Sequence, residues 1–153
     1  MSVIDKPGDN ICTCAVIRQA ARRVTRLYDQ ALAPFGLRIT QYPILASLAI
    51  SGPATMGVLA GRMVMDRATL GHNLRPLEAA GLLTLSAGSD RRSRTVSLTP
   101  LGRERLRAAR PAWETAQTTF ESTFGAEDTV ALRATMGRVA RLDFSLPNQP
   151  AVP

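Results

Sequence analysis

Residues 66–99 constrain the fold most strongly, because a helical hydrophobic period there gives way at once to an extended one. Three leucines recur at the spacing of a single apolar helix face: Leu70, Leu74 and Leu77. Asp66 is a suitable N-cap and Gly81 a suitable end, so a helix is predicted over about 67–80. The segments LLTLS and TVSLT then predict two strands joined by the loop 87–94, which is too long for a two-residue turn.

The side of this helix opposite the leucines combines small side chains with hydrogen-bond donors. Small residues would let the helix enter the major groove of DNA, and donors on the same face could bond the base edges. The loop that follows carries three arginines suited to a phosphate-lined or narrow minor groove, although a simply solvated loop is the alternative. Asp90 could orient one of these arginines. DNA contacts are therefore expected from the following residues: Arg67, Ala68, Thr69, His72, Arg75, Asp90, Arg91, Arg92 and Arg94.

The charge of the chain favours a polyanionic partner. The 153 residues carry a formal net charge of +7, and the isoelectric point is near 10.9, which favours nucleic acid before membrane. The apolar run 45–50 is too short to span a bilayer and the first ten residues lack the features of a signal peptide, so a cytoplasmic location is expected. His72 is the single histidine, and no phosphate loop or metal-ligand pattern occurs in the sequence. We therefore expect that the protein is not an enzyme and that it has no metal site and no cofactor.

Helical patterns precede residues 66–99. From Asn10 to about Phe35 one helix has an apolar face broader than a single neighbour can cover, so a second copy of the chain is a candidate partner. Thr40 is expected to cap the next helix, and Thr55 a short helix that leads into the leucine-striped one. Two short helices in succession are the helix-turn-helix pattern, and the following hairpin makes it a winged form.

Helical patterns also follow this unit. A long helix is predicted to begin at Thr99-Pro100, to bend at Pro111 and to end near Phe124, and a last helix follows Gly125. The expected fold is mainly α with a small β-hairpin wing: a winged helix-turn-helix flanked by N- and C-terminal dimerisation helices. The expected organisation is a helical dimerisation region over 10–35 and 100–143, a winged helix-turn-helix DNA-binding region over 36–99, and flexible termini over 1–9 and 144–153.

The order of elements resembles the MarR family of winged-helix bacterial transcription regulators. The likeness covers about residues 12–142. It rests on LAGRM before the recognition helix, DRATLGHNLRPLEAAGLL through it, the motif Asp90-x-Arg92 in the wing, and VSLTPLGRERL in the last strand and the start of the next helix. The resemblance implies a homodimer formed by the first and last two helices, with recognition helices in successive major grooves of a pseudo-palindromic operator. It implies that Asp90 orients Arg92 at the wing tip, and that repression is relieved by a ligand or an oxidant.

The resemblance also implies a ligand site. In many relatives small aromatic carboxylates or phenols bind where the dimer helices meet the winged region. In this chain that place would lie near four residues: Arg18, Arg22, Tyr42 and Trp113. The alternative is that the two aromatic residues pack in the core or the dimer interface and that the two arginines face water.

The two cysteines raise a second possibility. Cys12 and Cys14 are too close for an easy mutual bridge and too few for a zinc site, which indicates reduced thiols. A branch of the family that senses organic hydroperoxides has a reactive cysteine at the start of helix one, and Cys14 matches its spacing to Tyr28. This chain has Arg18 and Ile39 where that branch has further tyrosines. Redox sensing through Cys14 is therefore the alternative function, and a small buried thiol is the simpler interpretation.

A winged helix that binds proteins instead of DNA is the remaining alternative. Such a module would not show the steep salt dependence that phosphate contacts impose on DNA binding. The basic charge and the donor-rich face of the leucine-striped helix favour the DNA-binding regulator over this module.

Overall fold

The structure, a computed structural model, describes residues 11–87 and 94–145. Helices dominate this part of the chain, and a small antiparallel sheet interrupts them, which confirms the predicted mainly α fold with a hairpin. In order along the chain the elements are α1 (Thr13–Leu32), a 3₁₀ turn (Ala33–Phe35), α2 (Tyr42–Ser51), β1 (Ala54–Thr55), α3 (Met56–Met63), α4 (Arg67–Ala79), β2 (Leu83–Ala87), β3 (Arg94–Leu98), α5 (Pro100–Phe124) and α6 (Ala126–Val139).

The chain divides into two compact units, Met1–Thr118 and Thr119–Pro153, at a point inside α5. The first unit contains the sheet and the main hydrophobic core. In the second unit, Arg133 forms an ion pair with Glu121 at 2.7 Å between its nitrogen and the carboxylate oxygen, and the buried Thr129 hydroxyl donates to the Gly125 carbonyl at 2.7 Å. The predicted flexible termini, 1–9 and 144–153, lie outside the described residues apart from positions 144 and 145.

The leucine stripe of α4 forms the centre of the core in the first unit. Leu70, Leu74 and Leu77 are at most 2% exposed, as the helical period predicts. Side chains from α2, α3, the sheet and the residue before β2 pack with them, among them Ile44, Leu45, Leu48, Leu59, Leu82, Leu83 and Val96. Because the stripe faces this core, the opposite side of α4 remains at the surface.

Local caps set the ends of the short helices. The Asp66 carboxylate accepts the Thr69 N–H at 2.8 Å at the start of α4, and the Thr55 hydroxyl accepts the Val58 N–H at 3.3 Å at the start of α3, so both predicted caps are confirmed. The predicted Thr40 cap is wrong. Helix α2 begins after Gln41, and no side chain caps its first turn.

The first helix begins later and ends earlier than expected. It begins at Thr13 instead of Asn10 and ends at Leu32, after which residues 33–35 form the 3₁₀ turn. Pro34 explains the change at the end, because a proline has no N–H to continue the α-helical hydrogen bonds. Gly36 then adopts a φ of 66°, a left-handed conformation that suits glycine, and the chain turns towards α2.

The sheet has three strands in the order β1, β3, β2, all antiparallel. The two predicted hairpin strands are present as β2 and β3, and they pair with Leu85 opposite Val96. Strand β1 lies on the other side of β3 with Ala54 opposite Val96, and was not predicted. A strand of two residues is too short to produce a recognisable alternation, and the sequence predicts only a helix cap at Thr55.

Candidate nucleic-acid interface and adjoining cavity

The surface of α4 is exposed along the side opposite its leucines. All five candidate DNA-contacting residues of this helix are exposed: Arg67, Ala68, Thr69, His72 and Arg75. Gly71, between them, is surrounded by open space, since a β-carbon there would meet no atom within 4 Å. Ala68, Thr69, His72 and Arg75 therefore share the accessible side of α4. Such a surface fits the width of a major groove. The Arg67 guanidinium, by contrast, lies beside Gly57 of α3.

Thr69 is held by the cap at the start of α4. Its hydroxyl donates to the Asp66 carboxylate at 2.6 Å, in addition to the N–H bond already described. The hydroxyl proton is thus engaged inside the protein, and the oxygen retains lone pairs that can accept a bond from a base amino group. The sequence suggested Thr69 as a group that bonds base edges, and the structure favours an acceptor role for it.

The same pair of bonds changes the acidity of Asp66. The hydrogen bond from the Thr69 hydroxyl, followed by the bond from its backbone N–H, lowers the pKa of the Asp66 carboxyl below its ordinary value. The carboxylate therefore stays ionised at neutral pH. A negative charge at the positive end of a helix stabilises the first turn, which is the part of α4 that carries Ala68 and Thr69.

The wing is described only at its base. Arg94 is exposed at the start of β3, where it pairs with Ala87 at the end of β2. Asp90, Arg91 and Arg92 lie outside the described residues, so their suggested DNA contacts remain predictions. At the other end of the hairpin, the Thr99 hydroxyl donates to the Gly81 carbonyl at 2.7 Å and accepts the Gly102 N–H at 3.0 Å. These bonds attach the first turn of α5 to the connection between α4 and β2.

A cavity of about 500 Å³ lies between α2 and the first half of α5. Tyr42 and Trp113 stack at this cavity, with ring centroids 5.6 Å apart and planes inclined by 10°. Both aromatic residues suggested for ligand binding therefore lie together at this cavity. The remaining lining consists of small and aliphatic residues from the two helices and a row of arginines: Ala46, Ala49, Ile50, Leu106, Arg103, Arg107 and Arg110.

Charge at this cavity comes from α5 rather than from α1. Arg18 and Arg22, suggested from sequence, are exposed on α1 and are not part of the cavity lining. Arg103, Arg107 and Arg110 were not suggested. Their spacing of four and three residues places them along one helix face, and this spacing is the signal in the sequence that could have identified them.

The ionisation of Tyr42 reflects these surroundings. Burial raises the pKa of the Tyr42 hydroxyl above its ordinary value, the Arg110 guanidinium acts in the opposite direction, and the Glu114 carboxylate adds to the increase. Arg110 is itself paired with Glu114 at 2.8 Å. At neutral pH the phenol is therefore uncharged, and it can donate or accept a hydrogen bond at the cavity.

The cysteines lie at the start of α1. Cys12 is the N-cap residue and Cys14 is in the first turn, and both thiols are reduced and exposed, so the interpretation of a small buried thiol is wrong. Among the described residues, no group of three or more His, Cys, Asp or Glu side chains is placed to hold a metal ion. No helix in this described part is long and apolar enough to cross a bilayer.

Comparison with known proteins agrees with this architecture. Residues 35–93, which hold the helix-turn-helix and most of the wing, match the model of the MarR family. The chain is 30% identical over 83 residues to the uncharacterised HTH-type transcriptional regulator YwoH of Bacillus subtilis, a stretch that covers 54% of this chain and 61% of that protein.

Two solved structures with DNA are also similar. The M. tuberculosis transcriptional regulator MosR, crystallised in complex with DNA, is 34% identical with a TM-score of 0.71, over 86% of this chain and 99% of that one. The transcriptional repressor CouR, bound to a 23-mer DNA duplex, is 25% identical with a TM-score of 0.76, over 85% of this chain and 93% of that one. These relatives are transcriptional regulators, in agreement with the function expected from the sequence. The chain belongs to the MarR family of DNA-binding transcriptional regulators.

Proposed function

We propose that the protein is a homodimeric repressor that binds a specific pseudo-palindromic double-stranded DNA operator and is released by a small aromatic acid or phenol. The observation that carries the proposal is the exposed, donor-rich surface of α4 opposite its buried leucine stripe. The similar protein CouR is a transcriptional repressor and was solved on a DNA duplex, which supports repression as the mode of action.

In this proposal α4 reads base edges in the major groove. Arg75 would pair with guanine, the commonest specific contact of an arginine, and His72 would bond a neighbouring base. Ala68 would contact a thymine methyl group, Thr69 would accept a base amino hydrogen, and Arg67 would bind at the start of the helix. From the wing, Arg94 and the three candidates outside the described residues would bind phosphates or the minor groove: Asp90, Arg91 and Arg92.

Exposed apolar side chains support the dimer. On α1 and just before it, Ile11 and Ile17 are 40% and 36% exposed, and on α6 Val130 and Met136 are 65% and 37% exposed. Apolar residues left at the surface of helices indicate a protein interface. We assign residues 10–35 and 100–143 to this interface, which would be isologous and would separate two half-sites by one helical turn of DNA.

The cavity between α2 and α5 is the proposed effector site. Its aliphatic floor and the ring of Trp113 would contact an apolar aromatic body, and Arg103 or Arg107 would bind a carboxylate in a bidentate manner. Neither arginine forms an ion pair with any carboxylate among the described residues, whereas Arg110 is paired with Glu114. Arg103 and Arg107 are therefore the better candidates for an anionic ligand.

A selection experiment tests this function. A random duplex library is passed over the protein, and the recovered duplex is used in fluorescence anisotropy with a benzoate or hydroxybenzoate series as effectors. We expect steep salt dependence, tight binding of the selected duplex over a scrambled one, and release by at least one aromatic acid. Arg103→Ala and Arg107→Ala should reduce release while DNA binding persists. Absence of salt-dependent DNA binding would instead support a winged helix that binds proteins.

A thiol switch is the second candidate, because Cys12 and Cys14 are exposed and lie at the positive end of α1. An organic hydroperoxide would oxidise the Cys14 thiolate to a sulfenic acid and be reduced to the alcohol. Wild type, Cys12→Ser and Cys14→Ser are each treated with stoichiometric organic hydroperoxide. Operator binding is then measured by fluorescence anisotropy. We expect little release in any of them. Complete release of wild type, reversed by a thiol reductant and absent in Cys14→Ser, would make this candidate the correct one.

A further inference from the structure

A second cleft adjoins the exposed surface of α4 on the side of the α1–α2 connection. It is an open space of about 980 Å³ between the end of α1, the segment 36–41 and α4. Arg38 and Thr40 line it from the connection, and His72 and Asn73 line it from α4. His72 also belongs to the proposed DNA-reading surface, so the cleft and that surface are continuous.

We infer that Arg38, with Thr40 beside it, binds a backbone phosphate of the DNA strand that borders the groove occupied by α4. The inference rests on the proposed DNA-binding function and adds a contact outside the helix-turn-helix and the wing. A helix of about 10–12 Å diameter fills a major groove about 12 Å wide, so the bordering phosphates lie at its flanks. The cleft is at such a flank.

Several hydrogen bonds hold the backbone around Arg38. The Arg38 N–H donates to the Gln41 side-chain oxygen at 3.1 Å, and the Gln41 N–H donates to the Arg38 carbonyl at 2.9 Å. Next to it, the Ile39 N–H donates to the Asp29 carboxylate at 2.7 Å. The turn is thus held from both sides before DNA arrives. A guanidinium on a fixed turn loses less conformational freedom on binding than one on a mobile loop.

The side chains facing the cleft suit an anion that arrives with DNA. Arg38 is exposed and forms no ion pair with any carboxylate in the described ranges. Thr40 offers an exposed hydroxyl, and arginine and threonine are both common phosphate ligands in protein–DNA complexes. Asp29 is the one acidic residue of the cleft, and its half-buried carboxylate already accepts the Ile39 N–H. Among the described residues, the Arg38 guanidinium therefore has no ion-pair partner that DNA would have to displace.

The test compares wild type, Arg38→Ala, Arg38→Lys and a charge-matched control, Arg141→Ala, whose arginine is exposed beyond the end of α6. Because position 141 lies in the range assigned to the dimer interface, sedimentation first establishes that every variant is as dimeric as wild type. The ligand is the duplex that wild type selects from a random library, about 30 base pairs long to hold two half-sites one helical turn apart. Affinity is measured by anisotropy over a range of salt concentrations. A second series replaces single phosphates at the flanks of each half-site by neutral methylphosphonates.

Arg38→Ala should weaken binding about tenfold for each half-site, and Arg38→Lys should restore most of it. The salt slope should fall in magnitude by about 0.9 for each arginine removed. One methylphosphonate position should weaken wild type and have no further effect on Arg38→Ala. The inference would be overturned if Arg38→Ala bound DNA with the affinity and salt slope of wild type. It would also be overturned if Arg141→Ala lost as much affinity as Arg38→Ala. Failure of wild type to bind any duplex would instead overturn the proposed function.

Discussion

Gly102 lies so close to Leu82 that a β-carbon at position 102 would stand 2.0 Å from the Leu82 carbonyl oxygen. This contact joins the first turn of α5 to the start of β2, at the place where Thr99 also bonds the Gly81 carbonyl. The long helix that lines the cavity and the base of the wing are thus in direct backbone contact. The contact therefore couples the position of the first turn of α5 to that of the hairpin.

Gly102→Ala should destabilise the protein severely, because backbone and not a flexible side chain occupies the space of the new methyl group. We expect a loss of at least about 3 kcal/mol in the free energy of unfolding, measured in urea. Gly61→Ala is the matched control, since a β-carbon at Gly61 in helix α3 meets no atom within 4 Å. That variant should be as stable as wild type or more stable by about 0.5–1 kcal/mol. Equal stability of the two variants would refute the proposed close contact.

Val64→Gly should stabilise the protein, because Val64 ends α3 with a φ of 52° and a ψ of 46°. The left-handed conformation is unfavourable for a branched side chain by about 1–2 kcal/mol, and glycine adopts it freely. The side chain is 72% exposed, so little packing is lost. After the entropic cost of glycine we expect a gain of about 0.5–1 kcal/mol in thermal or urea unfolding. A clear loss would show that Val64 is not strained.

Thr69→Val should raise the pKa of Asp66 towards its ordinary value, because valine removes the hydroxyl bond that contributes most to the lowered pKa. In wild type the stabilisation by this ionised cap is present above the unfolded pKa of about 4 and is lost as pH falls through the lower folded pKa. The Asp66 carboxyl can be followed by NMR during an acid titration. An unchanged titration midpoint in Thr69→Val would contradict the observed bond.

Tyrosine ordinarily ionises near pH 10. In a phenolate absorbance titration, Tyr42 should ionise at a higher pH than this. Since the folded pKa is raised, stability is complete below the unfolded pKa and falls as pH rises towards the folded value. Arg110→Ala should raise the Tyr42 pKa further and Glu114→Gln should lower it, according to their opposite effects on the phenol. The variant Tyr42→Phe, which cannot ionise at this position, identifies which part of the absorbance change belongs to Tyr42. Shifts in the reverse directions would contradict the arrangement of charges at the cavity.

The sequence was informative for most features whose cause is local, with the predicted Thr40 cap as an exception. The period of Leu70, Leu74 and Leu77 defines α4, and the caps at Thr55 and Asp66 each depend on a residue three positions away. Helix α5 also begins at the predicted Thr99-Pro100 signal and continues through Pro111. These features need only a few neighbouring residues, so a single sequence can reveal them.

Features that depend on distant parts of the chain were missed. Strand β1 exists because Ala54 pairs with Val96, and two residues give no pattern of their own. The arginines of the cavity line it together with Tyr42, which is far from them in sequence. The cleft at Arg38 requires the α1–α2 connection to approach α4. No local period or motif encodes such approaches, which arise from the packing of elements against the shared core.

The central claim, that α4 reads DNA, is tested most directly by anisotropy of wild type and Arg75→Ala on the selected duplex and on a scrambled duplex over a range of salt. For wild type, log affinity should fall linearly with log salt concentration. Arg75→Ala should lose about 1–3 kcal/mol of binding on the selected duplex and much less on the scrambled one, with an unchanged circular dichroism spectrum. A folded Arg75→Ala that binds the selected duplex as tightly as wild type would contradict the claim.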